Sequence, residues 1–176
     1  MIPQTSQNMD EFNELLEIYV RFQPVTVLEI GTHHGGTLYH WLKNAVPGTI
    51  VGSIDNQGIV SEAQASEWAA ESVTARCWRG DSASIEAITW ARDNIAPIEW
   101  LFIDGGHMYN EVEADWNNYS PLVERGGIIC FHDILPHPYS QVNELWNNLK
   151  QFYETQEIIK PHEEWKIGPG IGIIYK

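Results

Sequence analysis

The stretch Val25-Thr-Val-Leu-Glu-Ile-Gly-Thr-His-His-Gly-Gly-Thr37 constrains the fold more than any other part of the chain. Val25, Val27, Leu28 and Ile30 form the apolar, β-branched run of a strand buried on both faces, and the run stops at Gly31. Leu38, Trp41, Leu42 and Ala45 then recur at helical spacing. Strand, glycine turn and helix in that order open an α/β unit. Gly31, Gly35 and Gly36 permit positive φ and close approach of a ligand, and the first amides of the helix face that ligand. Glu29, at the carboxyl end of the strand, is expected to place an anion beside the crevice. A dinucleotide-binding turn requires glycine where the pyrophosphate approaches, and here that position is His33. The pattern therefore disfavours a NAD-type oxidoreductase and suits a nucleoside whose charged part is cationic.

The rest of the chain repeats the alternation. Spacing predicts a leading helix over 9–22, with Asn8 and Glu11 as a capping pair, then strands over 49–55, 73–78, 98–103 and 128–131. Between them it predicts helices over 61–72, with Ser61 and Gln64 at its cap, over 83–91, and from Asn110 with Glu113 three residues on. A long helix over 140–153 and closing strands over 157–160 and 171–175 complete the chain, and the 161–169 connection is expected to be mobile. Five βα alternations require a parallel sheet with helices on both faces, because each crossover brings its own helix. At 176 residues this is one domain: a leading helix (1–24), a core (25–135), and a closing helix and strands (136–176).

Charge narrows the partners. With 24 acidic against 10 basic residues the formal net charge is -14, which opposes binding to nucleic acid or to an anionic membrane and tolerates a cationic ligand. Cys77 and Cys130 fall inside predicted strands, without the clustering of a zinc site or a disulfide framework, and are expected to be buried free thiols. Neither a signal-like N-terminus nor a membrane-length apolar run occurs, so a cytoplasmic setting is expected. Trp41, Trp116 and Trp146 lie on apolar helix faces and are assigned to the core.

Ligands of an open parallel sheet bind beyond the carboxyl ends of its strands. Here those ends carry Glu29, Asp55, Asp81, Asp104 and Asp133. Like charges gathered on one edge repel unless cations or hydrogen-bond donors offset them. Asp104-Gly-Gly-His107 follows the fourth strand and His132-Asp133 ends the fifth, so two carboxylates and up to two imidazoles face one another. Such an oxygen-rich set suits a hard divalent cation.

The segment Glu29-Ile-Gly31-Thr-His-His-Gly35-Gly36-Thr37 resembles the first motif of class I S-adenosylmethionine-dependent methyltransferases. With Asp55, Asp104-x-x-His107 and His132-Asp133 in that order, the chain resembles their metal-dependent branch of small-molecule O-methyltransferases, which includes sugar, macrolide-sugar and cephalosporin hydroxylase-like relatives. The resemblance implies a Rossmann-like, doubly wound, mostly parallel seven-stranded sheet with helices on both faces and an antiparallel last strand. It implies that Glu29, Gly31, Thr32, Gly35, Thr37 and Asp104 contact S-adenosylmethionine, with Asp55 on the ribose and Asp81 and Ser82 at the adenine. It further implies magnesium or manganese held by Asp104, His132 and Asp133, with His107 as base for a small-molecule acceptor: a sugar, a glycoside or a catechol-like diol. His132 departs from the family's acidic pair at this position. His137 and Tyr139 are candidates for the acceptor pocket. The oligomeric state stays open at this point, and a short chain with aromatic-rich helices could complete its pocket from a second copy in a homo-oligomer. The alternative function is non-catalytic binding of S-adenosylmethionine or a nucleotide.

Overall fold

The computed structural model describes residue 3, residues 5–161 and residues 169–176. The expected mobile connection therefore falls largely outside the described residues. Seven strands form one sheet: β1 (Thr26–Ile30), β2 (Ile50–Asp55), β3 (Thr74–Arg79), β4 (Ile98–Ile103), β5 (Val123–His132), β6 (Glu154–Ile158) and β7 (Ile171–Tyr175). Their order is β3-β2-β1-β4-β5-β7-β6. The first five are parallel, and β7 runs antiparallel to both β5 and β6. The chain winds outward from β1 to β3, then crosses back to place β4 on the other side of β1. That reversal opens a crevice beyond the carboxyl ends of β1 and β4.

Among the described residues six α-helices cover the sheet: α1 (Met9–Phe22), α2 (Gly36–Asn44), α3 (Glu62–Trp68), α4 (Ile85–Asn94), α5 (Tyr109–Tyr119) and α6 (Val142–Leu149). The period-2 alternation of the strands divides the core between two faces. Val27, Trp100, Phe102, Ile128 and Cys130 pack with Phe12, Leu15, Leu38, Trp41 and Trp68 from α1, α2 and α3. Leu28, Leu101, Ile103, Ile129 and Phe131 pack with Ala87, Ala91, Val112, Leu145 and Trp146 from α4, α5 and α6. Trp41 and Trp146 are fully buried and Trp116 is partly buried, as expected of core residues. Cys130 is a buried free thiol, whereas Cys77 is only half-buried.

Several boundaries differ from the sequence expectations. The Asn8 side chain accepts from the Asp10 amide at 3.0 Å, but Glu11 is not its capping partner. Glu11 is fully buried instead, with Oε1 accepting from the Lys160 amide at 2.9 Å and Oε2 from the Gly170 amide at 3.1 Å. Those two backbone donors make the inward carboxylate worth more than a cap in solvent. At α5 the pairing is two residues earlier than expected: Glu111 accepts from the Met108 amide at 3.1 Å. Helices α3 and α6 stop short of their expected ends, and β6 begins three residues earlier, over a largely exposed edge segment whose polar residues carry no alternation.

Candidate functional site

The crevice is a cavity of about 1340 Å³, lined from the β1, β2, β3, β4 and β5 ends. A pocket for one ligand spans roughly 300–1,000 Å³, so this one has room for a nucleoside cofactor and an acceptor together.

The glycine turn is shaped by the strand beside it. The Gly31 amide donates to Ile54 O at 2.9 Å and the Asp104 amide to Ile30 O at 2.8 Å, extending the sheet one step past each strand. Gly31 has φ 85°, and a Cβ there would lie 1.9 Å from the Asp104 carbonyl oxygen. Only glycine fits where the β1 and β4 ends come this close. Gly31, Thr32, Thr37, Asp81, Ser82 and Asp104 all line the cavity, Gly35 caps α2 in the left-handed conformation, and Tyr119 fixes Ser82 by donating to its carbonyl at 2.6 Å.

Two expected cofactor residues have other tasks. Glu29 shares the Val27 face of β1 and does not line the cavity; it is fully buried and accepts from Trp41 Nε1 at 2.8 Å. Burial pushes its carboxyl up to about 8, against the Trp41 hydrogen bond, so it is no anion at the crevice. Asp55 does line the cavity, but both its oxygens are engaged. Oδ2 accepts from the Thr32 and His33 amides at 2.9 and 2.8 Å, and Oδ1 from the Gln57 and Gly58 amides at 2.7 and 2.9 Å. Burial works to raise this carboxyl, but the four amides outweigh it and hold it below its ordinary value. A carboxylate has about four lone-pair directions. Asp55 therefore builds the loop, and a ribose hydroxyl has no free acceptor there unless an amide gives way. The same contacts turn the Thr32 and His33 amides toward Asp55, away from the role that pyrophosphate binding would give them.

The acidic end of the cavity is built by β4 and β5. Atoms of Asp104, His107 and Asp133 all lie within 4.8 Å of one another, and His107 Nε2 is 2.8 Å from Asp133 Oδ2. Successive residues of a strand point to opposite faces, which would separate His132 from Asp133. Asp133 takes a left-handed φ of 62°, so the chain turns there and its carboxylate swings back to 3.3 Å from His132 Nδ1. An aspartate tolerates this conformation better than most residues. His132 Nδ1 is also 3.2 Å from Asp104 Oδ1. Burial opposes charge on His132, but Asp104 and Asp133 outweigh it and raise the imidazole to about 10. His132 thus stands behind the two carboxylates, within reach of both, and is not among the three residues, Asp104, His107 and Asp133, whose ligand-type atoms all lie within 4.8 Å of one another. The hydrogen bond to Asp133 raises His107, against its burial. Asp133 lies well below the usual carboxylate range, because the two histidines outweigh its burial.

Loop contacts hold His107 in place: the Gln141 amide donates to His107 O at 2.8 Å, and the Tyr109 amide to Gln141 Oε1 at 3.2 Å. His137 and Tyr139 line the same rim, as do His33 and His34. Two further groups were not expected. Thr5, Ser6 and Gln7, before α1, line the cavity, and Gln7 Nε2 donates to Asp104 Oδ2 at 2.7 Å. Nothing in the sequence marks this contact. Asp115, on α5, lines the cavity with 1% of its surface exposed, and burial pushes it up to about 6. Its signal was legible: a carboxylate three residues after Val112, on the inward stripe of the helix.

Among the described residues no helix is long and apolar enough to cross a membrane. A family model described as a methyltransferase domain matches residues 28–134, more than half of the chain. An uncharacterized protein, y4gI, of Sinorhizobium fredii is 20% identical over 162 residues, covering 87% of this chain and 17% of that protein; the chain thus spans under a fifth of the curated relative's length. The O-methyltransferase from Bacillus cereus, solved in complex with SAH, superposes with a TM-score of 0.70 at 15% identity, covering 98% of this chain and 83% of that one. MycE, the methyltransferase of the mycinamycin biosynthetic pathway solved with Mg and SAH, does so with a TM-score of 0.61 at 18% identity, covering 93% of this chain and 48% of that one. The glycine turn at Gly31, the seven-stranded sheet with its antiparallel β7, and the match over residues 28–134 agree: the chain belongs to the methyltransferase-domain family and shares the fold of these solved methyltransferases.

Proposed function

We propose that this chain transfers a methyl group from S-adenosylmethionine to a hydroxyl oxygen of a small, uncharged acceptor, assisted by a divalent cation at Asp104 and Asp133. The observation that carries this reading is the charge of the cavity. Asp55, Asp81, Asp104, Glu111, Asp115 and Asp133 line it, and among the described lining residues there is no lysine or arginine. Such a wall favours a cationic sulfonium and a metal ion, and repels phosphate, carboxylate or coenzyme-thioester acceptors. It equally opposes the pyrophosphate of a nicotinamide cofactor.

The donor set fits the metal. Two carboxylates, Asp104 and Asp133, converge beside His107 and would hold the cation, which leaves the imidazole for proton transfer, and the carboxylates already have an outer donor in His132, the arrangement that orients first ligands. When bound, a divalent cation lowers the pKa of a hydroxyl that reaches it. His107 is placed to take the hydroxyl proton, and Asp133 beside it strengthens it as a base and stabilises the imidazolium that results. The cavity wall aligns acceptor oxygen and methyl group. The apolar and aromatic rim at Leu135, Pro136 and Tyr139 supplies contact area for the body of a glycoside or a catechol. The likeness to the O-methyltransferase from Bacillus cereus supports oxygen as the accepting atom.

The test is S-adenosylhomocysteine release with manganese, comparing a methyl glycoside and catechol with a sugar phosphate and a coenzyme A thioester. Turnover of a neutral diol at least about tenfold above any anionic acceptor is expected, since each unfavourable charge contact is worth on the order of 1 kcal/mol or more. Preference for an anionic acceptor would contradict the reading.

A further inference from the structure

Gln7 reaches the acidic end of the cavity from the segment before α1, 97 residues away from Asp104 in the chain. Asn8, next to it, is buried and caps α1, which fixes where the Gln7 side chain starts. The two Asp104 oxygens are divided between His132 Nδ1, 3.2 Å from Oδ1, and Gln7 Nε2, 2.7 Å from Oδ2. The other end of the Gln7 amide is unsettled: Oε1 is buried and has no hydrogen-bond partner. A buried carbonyl left without a donor costs about 1–3 kcal/mol, so this oxygen is poised for something that accepts its lone pairs.

An amide presents a donor and an acceptor related by a half-turn about its terminal torsion, which is soft. Rotated, Gln7 would set Oε1 where Nε2 now stands, 2.7 Å from Asp104 Oδ2. Two oxygens at that spacing repel unless a cation lies between them. Neighbouring oxygen ligands of an octahedral shell at 2.0–2.1 Å are separated by about 2.9 Å, close to the same spacing, and glutamine carbonyls are ordinary ligands of hard cations.

We propose that Gln7 gives its amide oxygen to the divalent cation shared by Asp104 and Asp133, rotating from the donor orientation seen here, so that cation binding fastens residues 5–8 across the mouth of the cavity. This rests on the metal-assisted reading above. It assigns the segment before α1 to the site and gives the cation a second task, closure of the cavity.

The test is manganese binding to the full chain by calorimetry and by electron paramagnetic resonance, for the wild type, Gln7→Leu and Gln7→Glu. Weakening of about tenfold in Gln7→Leu and equal or tighter binding in Gln7→Glu are expected, since ligand charge sets affinity at such sites. Manganese should also slow hydrogen exchange of the amides of residues 5–8 in the wild type and Gln7→Glu, but not in Gln7→Leu. Gln7→Glu keeps the side chain's length, so it decides the matter if Gln7→Leu is unstable. Equal affinities in all three proteins, without slowed exchange, would overturn the role of Gln7 and leave the metal in place. A wild type that binds no manganese would overturn both.

Discussion

Trp41 Nε1 donates to Glu29 Oε2 at 2.8 Å inside the protein, where Glu29 has no exposed surface and its Oε1 has no partner. The carboxyl that the sequence places at the crevice is a buried acid facing α2. Burial raises it from 4.5 to about 8, so the folded protein keeps a proton there that the unfolded chain releases. Between those values the unfolded state binds fewer protons, and stability contributed by the protonated form falls as pH rises, with the loss complete above about 8. Denaturant unfolding at pH 5 and pH 8.5 should show Glu29→Gln losing less stability than the wild type over that range, by on the order of a few kcal/mol. Parallel pH profiles would contradict this placement.

Gly31→Ala should fail for a reason of space. The added Cβ would sit 1.9 Å from the Asp104 carbonyl, and φ is 85°. A loss of about 2 kcal/mol or more is expected, together with loss of S-adenosylmethionine binding, because relief requires the β1 and β4 ends to part. Thermal unfolding and cofactor titration of the variant check this together; a stable variant with intact cofactor affinity would count against the close approach.

Asp55→Asn tests whether this residue serves the loop or the ribose. Asparagine keeps one acceptor oxygen and turns a donor toward backbone N–H groups, so at least one pair of the four amides loses its partner. Faster hydrogen exchange at Thr32, His33, Gln57 and Gly58 is expected even without cofactor. A residue devoted only to ribose would leave those amides unchanged in the free protein.

His107→Ala should lower kcat by about a hundredfold or more with cofactor affinity kept, since His107 acts on the acceptor's proton. Calorimetry with S-adenosylmethionine and steady-state rates separate the two effects. Unchanged turnover would remove His107 as base.

The sheet was legible because buried parallel strands are continuous apolar runs, and the grouping of Asp104, His107 and Asp133 followed from strand ends meeting on one edge. The errors lie where a side chain's task depends on neighbours distant in sequence. Period-2 alternation tells that Glu29 and Val27 share a face, but not that Trp41 waits there. Asp55 looks the same in sequence whether it receives a ribose or four amides. His132 was expected among the ligands because nothing local announces that Asp133 turns left-handed and leaves the imidazole behind the carboxylates. Gln7 is a polar residue in an unpatterned segment, and only folding brings it to Asp104.

The most direct test of the account is isothermal titration calorimetry of S-adenosylmethionine, with and without manganese, for the wild type and Asp104→Ala. Micromolar cofactor binding by the wild type is expected, with a separate manganese heat that Asp104→Ala abolishes. Absence of cofactor binding with or without the metal would contradict it.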